Sequence, residues 1–275
     1  MTRLFGVVGS PIGHSLSPAM HTAALRALRL DAVYAPFEAP PRHVKPILQG
    51  LILAGVEGLN VTVPLKEAVL PLMHRLDESA RAAGAVNTIV IRNRRMTGYN
   101  TDGIGFRRAV SELGWRGAGR CAVVLGAGGA ARAVAWELAR TAGCVVIANR
   151  HPDRARRLAA WIAKRRPRAC VCAAALSKVS LAEADLLVNA TTVGMRASDP
   201  LPVEPRQLRR GLIVYDLVYH RTTPLIEAAR GRGCVAANGV SMLLYQGAES
   251  LQLWLRRRPP IAAMRRALLA ATREP

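Results

Sequence analysis

Cys121-Ala122-Val123-Val124-Leu125-Gly126-Ala127-Gly128-Gly129-Ala130-Ala131 is an apolar run that breaks at a cluster of glycines and resumes with helix-forming residues. A strand, a glycine turn and a helix in that order suit the pyrophosphate of a dinucleotide. Glycine at 126 permits the tight turn, glycine at 128 lets backbone approach the phosphates, and Ala131 allows close packing of helix on strand. The free N–H groups that open the helix face the anion. Gly126, Ala127, Gly128, Gly129 and Ala130 are therefore candidate cofactor-binding residues. Outward from this point, residues 145–148 read as a strand and 152–165 as a helix. Further strands are expected at 169–172, 186–189, 213–216 and near 235. Strands separated by helices of this length predict right-handed crossovers and a doubly wound, Rossmann-like parallel sheet, an α/β fold.

The second strand of this unit ends at Asn149-Arg150, with Arg154 shortly after. A carboxylate there would favour the free ribose hydroxyls of NAD. A guanidinium instead forms paired, charge-assisted bonds to a 2′-phosphate, which points to NADP.

Upstream, residues 4–9 and 33–37 read as strands, each followed by a helix, with Ser17 capping the first and Pro18 in its first turn. A strand at 58–63 is stopped by Pro64, and 86–91 pairs with 95–99 across the Asn93 turn. This half is α/β with a mixed sheet. After Gly239 the pattern is helical to residue 275. The expected organisation is a substrate domain at 1–101, a dinucleotide domain at 102–238, and helices at 239–275 that return to the first domain.

Composition narrows the function. Hydrophobic residues make up 51% of the 275 positions, enough for a sizeable core, and aromatics only 4%, which suits parallel strands under helices. The net charge of +21 suggests nucleic acid, but Lys45, Lys66, Lys164 and Lys178 are the only lysines among 39 basic residues. Scattered arginine with few aromatics to stack on bases reads as a compositional bias, so neither nucleic acid nor membrane is expected as a partner. Cys121, Cys144, Cys170, Cys172 and Cys234 contain no C-x-x-C and read as buried free thiols of a reducing compartment. The six histidines show no zinc-ligand spacing, so no metal is expected. With neither a signal-peptide pattern nor a ~20-residue apolar span, a cytoplasmic location is expected.

Four further segments place polar groups at element ends. Ser15-Leu16-Ser17-Pro18 sets two hydroxyls where a helix N-terminus welcomes a carboxylate. Asn60-Val61-Thr62-Val63-Pro64-Leu65-Lys66 carries a lysine just past a strand. Ala85-Val86-Asn87-Thr88 and Asn100-Thr101-Asp102-Gly103 each bring an amide or carboxylate.

In this order, GSPIGHSLSP, NVTVPLKE, GAVNT, NTDG, GAGGAAR, NRHPDRA, NATTVGM, YDLVY and NGVSMLLYQG make the whole chain resemble the shikimate dehydrogenase family. The resemblance implies NADPH-dependent reduction of 3-dehydroshikimate, with a quinate- and shikimate-using paralogue as the alternative. It implies that Ser15 and Ser17 hold the substrate carboxylate, that Thr62, Asn87, Tyr219 and Gln246 contact ring hydroxyls, and that Lys66 and Asp102 are the catalytic pair. It adds Glu78, Asn149, Thr191, Leu217 and Gly239 to the cofactor-side residues, with Leu217 where methionine is frequent. Lysine, an ammonium at neutral pH and more so beside an acid, would protonate the alkoxide formed as hydride arrives. A cleft closing over both ligands is expected; monomer and homodimer both remain open.

Overall fold

In the computed structural model, residues 2–196 and 198–272 are described. The chain divides into two compact units, Met1–Gly105 with Leu244–Pro275, and Phe106–Leu243.

The first unit begins β1 (Arg3–Gly9), α1 (Ser17–Ala27), β2 (Ala32–Glu38), α2 (Val44–Leu53) and β3 (Val56–Val61). It continues through α3 (Leu65–Ala68), β4 (Arg75–Leu76), α4 (Glu78–Ala83), β5 (Thr88–Arg92) and β6 (Arg95–Tyr99). Its six strands lie in the order β2-β1-β3-β5-β6-β4, a mixed sheet. β1 pairs parallel with β2 and β3, whereas β5 runs antiparallel to both β3 and β6. The predicted hairpin at 86–99 is present, with Asn93 and Arg94 taking positive φ at its turn. The two-residue strand β4 has too few residues for any period to reveal it. Val8, Leu48, Leu59, Leu65, Val86 and Ile89 form part of this unit's core.

α5 (Asp102–Glu112) leads into the second unit, which holds β7 (Cys121–Leu125), α6 (Gly129–Leu138), β8 (Cys144–Asn149), α7 (Pro152–Arg165) and β9 (Val171–Ala175). Then come β10 (Leu186–Asn189), β11 (Ile213–Asp216), α8 (Pro224–Gly231) and β12 (Val235–Asn238). The strands run β12-β11-β10-β7-β8-β9, all paired parallel. β7 and β10 are buried nearly end to end, as expected for strands covered on both faces. Trp136 and Trp161 meet on α6 and α7, with Arg132, Arg165 and Arg166 stacked over their rings. Part of the arginine excess is thus used as planar cation against aromatic face, a role lysine fills less well.

α9 (Val240–Leu255) and α10 (Ile261–Ala271) end the described chain. From Leu244 onward they belong to the first unit, where α10 packs on α1 and the buried Trp254 donates its Nε1–H to the Ile89 carbonyl at 3.0 Å. Among the described residues, no helix is long and apolar enough to cross a membrane.

Candidate active site

Leu65 is fully buried at the start of α3, which anchors that single turn and leaves the next residue, Lys66, directed off the core. Asp102 opens α5, and its N–H is accepted by the Asn100 side chain at 3.1 Å. The Lys66 Nζ donates to Asp102 Oδ2 at 2.7 Å. The other carboxylate oxygen accepts from Asn87 Nδ2 at 2.8 Å. Asp102 is only 8% exposed and Lys66 29%, so the acid is sheltered while the ammonium reaches outward.

Behind the pair runs a chain of buried polar groups. Asn87 Oδ1 accepts from Thr101 N at 2.8 Å and from Thr88 Oγ1 at 2.9 Å, and its Nδ2 also reaches Gln246 Oε1 at 3.3 Å. Ser250 lies 2.7 Å from Thr88 Oγ1 and accepts from Asn60 Nδ2 at 2.9 Å, while Tyr34 donates to Asn60 Oδ1 at 2.8 Å. Buried polar atoms are tolerated when mutually satisfied, and such a network fixes one arrangement. Asn87 and Gln246 are predicted site residues that the structure brings together with Asp102. Tyr34, Thr88, Thr101 and Ser250 are not predicted. Thr88 and Thr101 adjoin the polar element ends that flag Asn87 and Asp102, whereas Ser250 sits in an apolar helix with no local signal.

Thr62 follows β3, half-buried, and donates its N–H to the Val8 carbonyl at 2.9 Å. The expected cap at Ser17 is corrected. Ser17 makes no capping bond because it is already the first residue of α1, one position past the N-cap Leu16, and its N–H is taken by Ser15 Oγ at 3.3 Å. Ser15 thus holds the helix start, and Ser17 is buried with its hydroxyl toward Tyr34, whose phenol burial pushes well above its ordinary value. Glu78 is exposed in the first turn of α4, where its charge suits the helix N-terminus.

In the second unit Gly126 has φ +111°, and a Cβ there would come within 2.8 Å of the Ala190 carbonyl oxygen. Gly128 precedes α6, and a Cβ there would meet nothing within 4 Å. Folding demands glycine at 126, while the bare backbone at 128 faces open space. Gly129 and Ala130 supply first-turn N–H groups with no side-chain cap. This geometry fits a pyrophosphate. Asn149 ends β8 and donates to the His151 carbonyl at 3.0 Å. Arg150 and Arg154 are exposed, with no carboxylate partner among the described residues; nearby Asp153 pairs with Arg156 instead. Two uncommitted guanidinium groups at this strand end fit a 2′-phosphate.

Thr191 is fixed by its own loop, donating from Oγ1 to Asn189 Oδ1 at 2.7 Å. Asn189 donates to Asp216 Oδ1 at 3.0 Å, and Thr223 donates to Asp216 Oδ2 at 2.6 Å. Asp216 is wholly buried, and burial raises its carboxyl despite these bonds. This unpredicted acid ties together the loops after β10 and β11. Leu217 N donates to the Asn189 carbonyl at 2.9 Å. Gly239 is explained by close approach, since a Cβ would lie 2.3 Å from the Leu217 carbonyl oxygen. Tyr219 is half-buried, and burial raises its phenol.

The thiols also depart from expectation. Only Cys234 is buried; Cys121 and Cys144 are intermediate, and Cys170 and Cys172 are exposed. They occupy strand positions of core parity, but at the strand starts and the sheet edge, where the core runs out.

Three family models match the chain: a shikimate dehydrogenase substrate binding domain over residues 7–89, a shikimate/quinate 5-dehydrogenase over 109–201, and a shikimate 5′-dehydrogenase C-terminal domain over 239–269. The shikimate dehydrogenase (NADP(+)) of Rubrobacter xylanophilus is 46% identical over 97% of this chain and 95% of its own. The Thermus thermophilus shikimate 5-dehydrogenase, solved with NADP(H) and shikimate, superposes with TM-score 0.90 at 37% identity, covering 98% of this chain and all of that one. The quinate dehydrogenase of Corynebacterium glutamicum, solved with NAD, gives TM-score 0.90 at 32% identity over 98% and 99% of the two chains.

Proposed function

Because the chain belongs to the shikimate dehydrogenase family, we propose that Lys66 and Asp102 carry its chemistry, with Ser15, Ser17, Thr62, Asn87, Tyr219 and Gln246 holding the substrate. The reaction is the NADPH-dependent, reversible reduction of 3-dehydroshikimate to shikimate, a step toward chorismate and the aromatic amino acids. NADPH, when bound, supplies the hydride. The 2.7 Å bond between Lys66 Nζ and Asp102 Oδ2 is the observation that carries the assignment of roles.

Lys66 donates a hydrogen bond to the ketone oxygen, stabilises the negative charge that grows there, and transfers its proton to the alkoxide. In the reverse direction it takes the hydroxyl proton back. Asp102 holds the ammonium in position and is itself held by Asn87, so the donor is aimed before substrate arrives. Ser15 and Ser17, at the start of α1, receive the substrate carboxylate; Thr62, Gln246 and Tyr219 take ring hydroxyls. The glycine turn Gly126–Ala130 binds the pyrophosphate, and Asn149, Arg150 and Arg154 bind the 2′-phosphate end. Thr191, Leu217 and Gly239 line the remaining path of the cofactor, and Glu78 completes the cofactor-side set. We place the enzyme in the cytoplasm, a reducing setting that suits five free cysteines.

The test is Asp102→Asn, which keeps the shape but removes the charge that orients Lys66 and turns one of the two accepting oxygens into a donor. The expected result is a fall in kcat of about 10²-fold with the KM for NADPH unchanged. Turnover within twofold of the unsubstituted enzyme would overturn the assignment. Parallel kinetics with shikimate and quinate, and with NADP+ and NAD+, test the substrate and cofactor. A higher kcat/KM with quinate or with NAD+ would contradict the reading.

A further inference from the structure

Cys144, Cys170 and Cys172 place their three Sγ atoms within 4.8 Å of one another, and Cys170 and Cys144 are 3.2 Å apart. The register explains the convergence. Val145 pairs with Val171 and Val146 with Cys172, so residues 144, 170 and 172 share one face of adjacent parallel strands. Cys121 pairs with Cys144 on the next strand and adds a fourth thiol beside them. β9 is the edge strand, so the group opens to solvent. It lies at the start of β7, whereas the glycine turn follows its end, about 13 Å away along the strand.

From this geometry we infer a site for one thiophilic metal ion of the Zn2+ or Cu+ class, ligated by Cys144, Cys170 and Cys172 with Cys121 adjoining. Thiolates at about 2.3 Å around a tetrahedral ion lie about 3.8 Å apart, within the 4.8 Å spread that the sulfurs of Cys144, Cys170 and Cys172 already occupy. All the donors are sulfur, which excludes Mg2+ and Ca2+. Each ligating thiol releases one proton as its metal–sulfur bond forms. The bond set would also staple the edge strand β9 to β8.

The experiment uses tag-free, full-length protein, fully reduced and held without oxygen, titrated with Cd2+ and, separately, with Zn2+. Thiolate-to-cadmium charge-transfer absorption should saturate at one ion per chain. The Cys170→Ser/Cys172→Ser variant should lose it, and Cys234→Ser should keep it. Both positions of the double variant are exposed, so folding is not at stake. Zn2+ should also raise the Tm of the unsubstituted chain and not that of the double variant. Absence of saturable binding, or equal binding by the double variant, overturns the inference. Neither readout depends on turnover.

Discussion

The surroundings of Lys66 and Asp102 and the turn at Gly126–Ala130 are built on opposite principles. Around the ion pair, buried side chains from β3, β5, α5 and α9 bond to one another before any ligand is present. Around the turn, the proposed cofactor role rests on side chains that are missing and on two arginines that touch no acid. Interrupting the first arrangement leaves buried polar atoms alone, at about 1–3 kcal/mol each. Interrupting the second costs folding little unless backbone geometry itself is at stake. Substitutions should therefore couple stability to catalysis in the first region and separate them in the second.

The largest effect belongs to Lys66→Ala. Loss of the proton donor should lower kcat by about 10²- to 10⁴-fold, with a much smaller rise in the substrate KM. Near-normal turnover would break the comparison at its root, because the buried network would then serve only the fold.

Arg150→Ala should come next. It would remove the proposed charge-assisted bonds to the 2′-phosphate, worth about 1.5–3 kcal/mol, so the KM for NADPH should rise by roughly 10- to 100-fold while Tm and the KM for NADH stay unchanged. An equal loss with NADH would show that Arg150 serves the loop and not the 2′-phosphate.

One methyl group placed at either of two glycines sharpens the contrast. Gly126→Ala meets both positive φ and the Ala190 carbonyl oxygen, so it should destabilise by about 1–3 kcal/mol. Gly128→Ala has open space, so its urea midpoint should match the unsubstituted protein while NADPH affinity falls. Equal destabilisation by both would mean that the turn is rigid throughout and not specialised at 128.

The sequence makes the second region far more legible than the first. A parallel strand buried on both faces reads as an unbroken apolar run, and a glycine turn reads as glycine, so β7, β10, β11 and α7 match their predicted limits. The buried network depends instead on contacts between residues far apart in the chain: Asn60 and Ser250 are 190 positions apart and Asn87 and Gln246 are 159 apart. No local period carries such pairings; Asn87 is marked locally as a polar element end, only the family resemblance brings Gln246 forward, and Ser250 has neither signal. The cysteines mislead for a related reason. Their alternation is that of a core face, and only the strand order shows that this face ends at an edge.

The smallest expected effect lies in the first region and bears on its fold. His21 is fully buried and stacked on Tyr34 with ring centroids 4.4 Å apart. Burial lowers its pKa from 6.5 to about 3, and neither ring nitrogen has a hydrogen-bond partner among the described residues. The unfolded chain takes up a proton on this ring below pH 6.5, and the folded chain does not until about pH 3. The stability that neutral His21 contributes is therefore fully present above that upper limit and is lost as pH falls through the window, by about 1.4 kcal/mol at pH ~5.5. Urea unfolding of His21→Phe, which keeps the flat ring against Tyr34, should show a shallower loss of stability than the unsubstituted chain between about pH 7 and 5. Parallel slopes would mean that the ring titrates alike in both states and that the packing around Tyr34 opens to water.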